Sequence, residues 1–159
     1  MPPKILPERI GKILVAVDGS DDGEKAGFTA SDLARRYGAQ LVILHVADYP
    51  RNMLGVGSGH TVSVGVPMLN PEVDQERKRA EESIDRIESF ASRLGIESTN
   101  EIVQTSNSIA DTIIDYAYHQ NIDLIVTGSR GLNSFQTSTL GSVSNGVVNK
   151  ASCSVLVVR

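Results

Sequence analysis

Short apolar runs alternate with segments whose apolar positions recur every three or four residues, and the alternation holds along nearly the whole chain. Ile13-Leu14-Val15-Ala16-Val17, entered from Lys12, is continuously apolar and rich in β-branched residues, the pattern of a strand covered on both faces. Ala26, Ala30, Leu33, Ala34 and Tyr37 follow at helical spacing, with Gly38 as the stop. Leu41 to Val46 is a second buried strand. Ala80, Ile84, Ile87, Ala91 and Leu94 form the stripe of a long helix that starts near Pro71 and ends at Gly95. Ser98 to Gln104 is weaker and more alternating, as an edge strand reads. Ile109, Ile113, Tyr116 and Ala117 mark a third helix, Asp123 to Thr127 a strand, Leu140 to Lys150 a fourth helix and Ser154 to Val158 a last strand.

Strands and helices in strict alternation predict an α/β fold, a doubly wound parallel sheet of five strands with helices on both faces. Two segments break the rhythm. Residues 1–11, with Pro2, Pro3 and Pro7, read as an N-terminal extension to a single domain over 12–159. Residues 48–71 make a connection much longer than the usual few residues, with four glycines among apolar positions. A flap over a site and a disordered insertion both fit it.

Composition narrows the classes. A charge of −4 and a pI near 5.3 argue against non-specific binding to nucleic acid or to an anionic membrane surface. The apolar runs are too short to cross a bilayer. One cysteine, Cys153, and the absence of a signal-like apolar start fit a reducing, cytoplasmic setting. His45, His60 and His119 share no metal-ligand spacing.

Ligands of open α/β sheets bind beyond the carboxyl ends of the strands, where the strand order reverses. Two strand ends carry unusual chemistry. The first ends in Val17-Asp18-Gly19-Ser20. The fourth runs through Thr127-Gly128-Ser129-Arg130-Gly131 to Gly141-Ser142 at a helix start, a Gly-x2-Gly-x9-Gly-Ser spacing. Glycines admit close backbone approach, and a helix start offers unpaired N–H groups and the positive end of its dipole. Ser142 and Ser144 add hydroxyls, and Arg130 a charge. The arrangement suits a polyphosphate; turns and a helix cap account for the glycines equally well. No GxxxxGK[ST] exists, and Gly55-x-Gly57-x-Gly59 lacks both the third glycine and the helix of a dinucleotide fingerprint. Asp21 with Glu24 reads as a helix cap and its reciprocal partner.

With Ile13 to Ser20, Leu44-His45-Val46, Gly141-Ser142-Val143-Ser144 and the closing Cys153 to Arg159, this string resembles the universal stress protein family over roughly residues 10–159. The intact glycines resemble its ATP-binding branch. The resemblance implies strand order 3-2-1-4-5, a homodimer paired through the last strand, and ATP between the first and fourth strands, with magnesium as the cation ATP ordinarily carries. It implies nucleoside contacts from Ala16, Val17 and Asp18, with Val46 lining the adenine slot through its backbone. Gly128 and Gly131 would cradle ribose and phosphates, beside Thr127 and Arg130. Gly141, Ser142, Val143 and Ser144 would hold the outer phosphates. Two positions depart from the family: Ser154 stands where many members have proline, and Gly23 where serine is frequent.

The function expected is a nucleotide-dependent regulator of a stress response. Two other classes stand beside it. One is a slow ATPase or self-phosphorylating enzyme acting on Thr137, Ser138 or Thr139, for which no positioned base or water-orienting residue is evident. The other is an interaction module that binds no nucleotide.

Overall fold

The computed structural model describes residues 9–48, 71–105, 107–132 and 140–159. The flap reading at 48–71, apart from its two end residues, most of the N-terminal extension, and Thr137, Ser138 and Thr139 lie outside these residues. Nine elements follow in chain order: β1 Lys12–Ala16, α1 Asp21–Tyr37, β2 Gln40–Asp48, α2 Pro71–Arg93, β3 Ser98–Thr105, α3 Ile109–His119, β4 Leu124–Gly128, α4 Ser142–Lys150 and β5 Ser154–Val158. The five strands form one parallel sheet in the order β3-β2-β1-β4-β5, as expected.

The alternation of side chains along β1 divides the core in two. Ile13, Val15 and Val17 face one way, onto Ala26, Ala30 and Ala34 of α1 and Ile84, Ile87 and Ala91 of α2. Leu14 and Ala16 face the other way, onto Ala110, Ile113 and Ala117 of α3 and Val147 of α4. With both faces covered, β1, β2 and β4 are the continuous apolar runs that the sequence shows. β3, with one neighbour and an exposed Ile102, is the edge strand its polar alternation predicts.

The helices are fixed at their ends and across their contacts. α1 ends in left-handed Gly38, whose N–H returns to the Ala34 carbonyl. Its start corrects the sequence reading. The N-cap is Ser20, in extended conformation, whose hydroxyl accepts from Gly23 N–H; Asp21 is already the first helical residue. Glu24 does not reach back to cap the helix. It accepts from the Arg86 guanidinium at 2.9 and 2.7 Å and from Ser83, tying α1 to α2. On the opposite face, Lys150 of α4 meets Asp111 of α3 at 2.8 Å, and this hydrogen bond holds the Asp111 carboxyl below its ordinary pKa. Tyr116 of α3 donates to Glu101 of β3; burial first, and then that carboxylate, push its phenol up to about 12.

Candidate functional site

β1 and β4 lie side by side with their connections running in opposite directions, so their carboxyl ends open onto a shared crevice. The turn after β1 is built around Asp18. One carboxylate oxygen accepts from Ser20 N–H at 2.9 Å within the turn. The other accepts from Leu132 N–H at 3.2 Å, on the loop that follows β4. Ser20 adds a bond from its hydroxyl to the Arg130 carbonyl at 3.3 Å. Two loops over a hundred residues apart in the chain are thereby laced together over the strand ends.

Ser129 is the second fastening point. Its N–H donates to the Val158 carbonyl of β5, and its hydroxyl donates to Asp22 at 2.8 Å on the first turn of α1. Its carbonyl accepts from Gly141 N–H at 2.8 Å and from the Ser144 hydroxyl at 3.1 Å. The start of α4 is therefore hung from the end of β4. The sequence reading assigned no role to Ser129 or Ser20, although both lie inside the strand-end segments it singled out.

Close approach explains the glycines here. A Cβ on Gly128 would stand 2.7–2.9 Å from the Asp22–Gly23 backbone, because α1 starts directly against the end of β4. Gly23, the departure noted in the sequence, leaves room for the Asp18 carboxylate and the Ser20 hydroxyl, each about 3 Å from where its Cβ would be. Gly19 is required on two grounds: its φ is +85°, and a Cβ there would meet the α2 backbone at Arg79–Ala80. At Gly131 a Cβ would stand 2.8 Å from the second Asp18 oxygen. Gly141 differs. It has φ −60° and ψ 161°, and its Cβ would find only ordinary contacts with Ser129, Arg130 and Gly131.

The expected site residues fall into two groups. Asp18, Gly128, Arg130, Gly131, Gly141 and Ser142 gather at the ends of β1 and β4 and the start of α4. Ala16, Val17, Val46, Thr127 and Val143 turn their side chains into the two cores or the sheet. The Val17 carbonyl accepts from His45 Nδ1 at 2.9 Å, so that buried histidine braces the β1 end. Ser144 is buried, and its hydroxyl donates to the Ser129 and Gly141 carbonyls; it shapes the helix start from behind.

α4 has glycine as its N-cap and no side chain capping it. An α-helix leaves its first N–H groups without partners inside the helix. Here Gly141 N–H is taken by Ser129 and Asn145 N–H by Gly141, so the amides without a partner inside the helix are those of Ser142, Val143 and Ser144. A cleft of about 480 Å³ is bounded by the turn after β1, the first turn of α1, residues 130–132 and Arg79 of α2, and no residue of α4 lines it. Among the described residues no cluster of three metal-ligating side chains occurs, and no helix is long and apolar enough to cross a membrane.

Comparison with known proteins agrees with this architecture. A model of the universal stress protein family matches residues 9–159. The universal stress protein YxiE of Bacillus subtilis is 33% identical over 150 residues, covering 93% of this chain and 98% of that one. Among solved structures, universal stress protein UspA from Lactobacillus plantarum is similar with a TM-score of 0.75 and 32% identity, over 96% of this chain and 100% of that one. A universal stress protein from Archaeoglobus fulgidus, solved in complex with dAMP, has a TM-score of 0.64 and 25% identity over 94% of this chain and 98% of that one.

The lacing predicts a measurable loss when Asp18 is removed. Asp18→Ala deletes two hydrogen bonds to a charged, half-buried acceptor, a loss of about 1–3 kcal/mol in the ligand-free protein. Thermal melting should register the loss, and the Leu132 amide should exchange faster with solvent. Unchanged exchange at Leu132 would show that the two loops hold together without the carboxylate.

Proposed function

The chain belongs to the universal stress protein family, and we propose that within it this protein is an ATP-binding regulator of the stress response. The observation that carries the reading is the start of α4. Its N-cap offers no side-chain acceptor to the first-turn N–H groups, and the Ser129 carbonyl ties Gly141 to the end of β4. First-turn amides without a partner inside the helix, with the helix dipole behind them, favour an anion. The dAMP bound by the Archaeoglobus relative supports an adenine nucleotide as the anion's bearer.

In this reading Gly131 and the Ser142 and Val143 amides bind phosphates. The main chain at Ala16, Val17 and Val46, with Asp18, borders the nucleoside, and Thr127, Gly128 and Arg130 complete the floor. Asp18, tied to both loops, positions the phosphate-facing segment before ligand arrives, which lowers the ordering cost of binding. Magnesium accompanies ATP as its ordinary counter-ion. Occupancy regulates by stiffening the laced loops, and the protein works in the cytoplasm as a homodimer. β5 supports the dimer: it lies at the sheet edge with Leu156 exposed, and an unpaired apolar edge strand is ordinarily covered.

Gly141→Val tests the site. The backbone there suits any L-residue, and the Cβ contacts are ordinary, so the fold should persist. That Cβ points at Ser129, Arg130 and Gly131, so the branched methyls would wedge between loop and helix, where a phosphate must enter. Losing two charge-assisted bonds at about 1.5–3 kcal/mol each weakens ATP by roughly two to four orders of magnitude. Calorimetric titration of nucleotide-free protein measures it, with melting as the control for folding. A folded variant with undiminished affinity, or a parent protein that binds no adenine nucleotide, would refute the assignment. Sedimentation at micromolar concentration tests the dimer, and a monomer there would refute it.

A further inference from the structure

β2 runs on past the end of its central neighbour. β1 pairs with β2 from Lys12↔Gln40 to Ala16↔Leu44, while β2 goes on pairing with β3 as far as Asp48↔Thr105. In a parallel ladder every second residue of a strand turns its N–H and C=O toward the same neighbour. Gln40 N–H donates to the Gly11 carbonyl, and the Leu44 carbonyl accepts from Val17 N–H, so the even-numbered residues of β2 are the ones directed at β1. The next bonds in that series would run from Val46 N–H to the Val17 carbonyl and from Gly19 N–H to the Val46 carbonyl. Among the described residues neither forms. The Val17 carbonyl accepts instead from His45 Nδ1 at 2.9 Å, a side chain standing in for the ladder's main-chain donor. A carbonyl only accepts, so Nδ1 is the nitrogen that carries a proton.

Val46 is thus left with a donor and an acceptor side by side, directed to where the β1 ladder has stopped. It is a buried residue, and buried main-chain groups are nearly always paired. An unpaired N–H and C=O on one strand residue suit a flat ligand that carries an acceptor next to a donor. Adenine has an amino group beside a ring nitrogen, whereas guanine has a carbonyl in place of that amino group.

Resting on the nucleotide reading above, we infer that His45 is a positioning residue for recognition of the base. By occupying the Val17 carbonyl it stops the β1–β2 ladder one bond early and keeps the Val46 main chain free. Its Nδ1 proton is committed to Val17, so it acts through Val17 and Val46. Without the imidazole, Val46 N–H closes onto the Val17 carbonyl and the sheet takes up the groups that would read the base. A merely structural histidine gives the opposite expectation, since its loss loosens the β1 end and forms no new bond.

The test uses full-length, nucleotide-free protein and the NMR coupling that crosses a hydrogen bond. The parent should show the coupling between Val17 N–H and the Leu44 carbonyl and none between Val46 N–H and the Val17 carbonyl. In His45→Leu the second coupling should appear. His45→Asn, whose side-chain amide can replace Nδ1–H, should behave as the parent. Titration gives the second readout. His45→Leu should weaken ATP by about tenfold and narrow its preference over GTP, while tripolyphosphate, which has no base, stays within twofold. In the parent, ATP should move the Val46 amide resonance and tripolyphosphate should not, a comparison that requires no variant to fold. A Val46–Val17 coupling already present in the parent, its absence in folded His45→Leu, equal losses for ATP and tripolyphosphate, or a Val46 amide that ATP leaves unmoved would overturn the inference while leaving nucleotide binding intact. A parent protein that binds no adenine nucleotide would overturn the reading beneath it as well.

Discussion

The Asp18 carboxylate fastens together loops that lie far apart in the sequence. It stands at the end of the central strand, and its two oxygens hold the turn after β1 and the loop after β4, 114 residues apart at Leu132. Parallel strands bring their carboxyl ends to one edge of the sheet, but they leave the loops above that edge free to choose their course. The carboxylate, Ser20 and Ser129 make the choice. Gly131 then passes close over Asp18, and α4 starts from the Ser129 carbonyl. The start of α4 owes its position to this lacing. A charged acceptor makes stronger bonds than a neutral one, which suits a joint that must hold without a core around it.

The close approaches at the glycines follow from the same joint. Gly128 lets the first turn of α1 abut β4, which brings Asp22 within reach of Ser129. Gly23 leaves the gap that the Asp18 carboxylate enters, and Gly19 admits α2 with Arg79. Removing side chains at these points is what allows three elements from distant parts of the chain to meet. Gly141 has neither a positive φ nor a crowded Cβ, so nothing in the ligand-free fold demands glycine there. A position that packing does not explain, at the mouth of the crevice, is where a ligand's need for space is the natural reason.

Much of the fold was legible along the chain because its signals are local. β-branched apolar runs marked β1, β2, β4 and β5, and the alternating polarity of Ser98 to Gln104 marked the edge strand. Stripes such as Ala80, Ile84, Ile87 and Ala91 marked the helix faces now buried in the core. The start of α1 was misread by one residue, because Ser20 and Asp21 are both favoured capping residues and only backbone conformation separates them. Glu24, read as a local partner, bonds instead to Arg86, 62 residues away. The glycine string located the crevice, yet the role of Ser129 was not legible. It depends on a contact between elements that periodicity cannot register, with Asp22 across 107 residues.

The central claim is that the laced loops present the α4 amides to a phosphate. Amide-resolved NMR during titration with ATP tests it most directly. The account predicts the largest shifts at Gly131, Ser142 and Val143. Smaller shifts are expected at Ser129, whose N–H is held by Val158, and none along β3 at the far edge of the sheet. Saturating shifts that cluster elsewhere while Ser142 and Val143 stay still would contradict it.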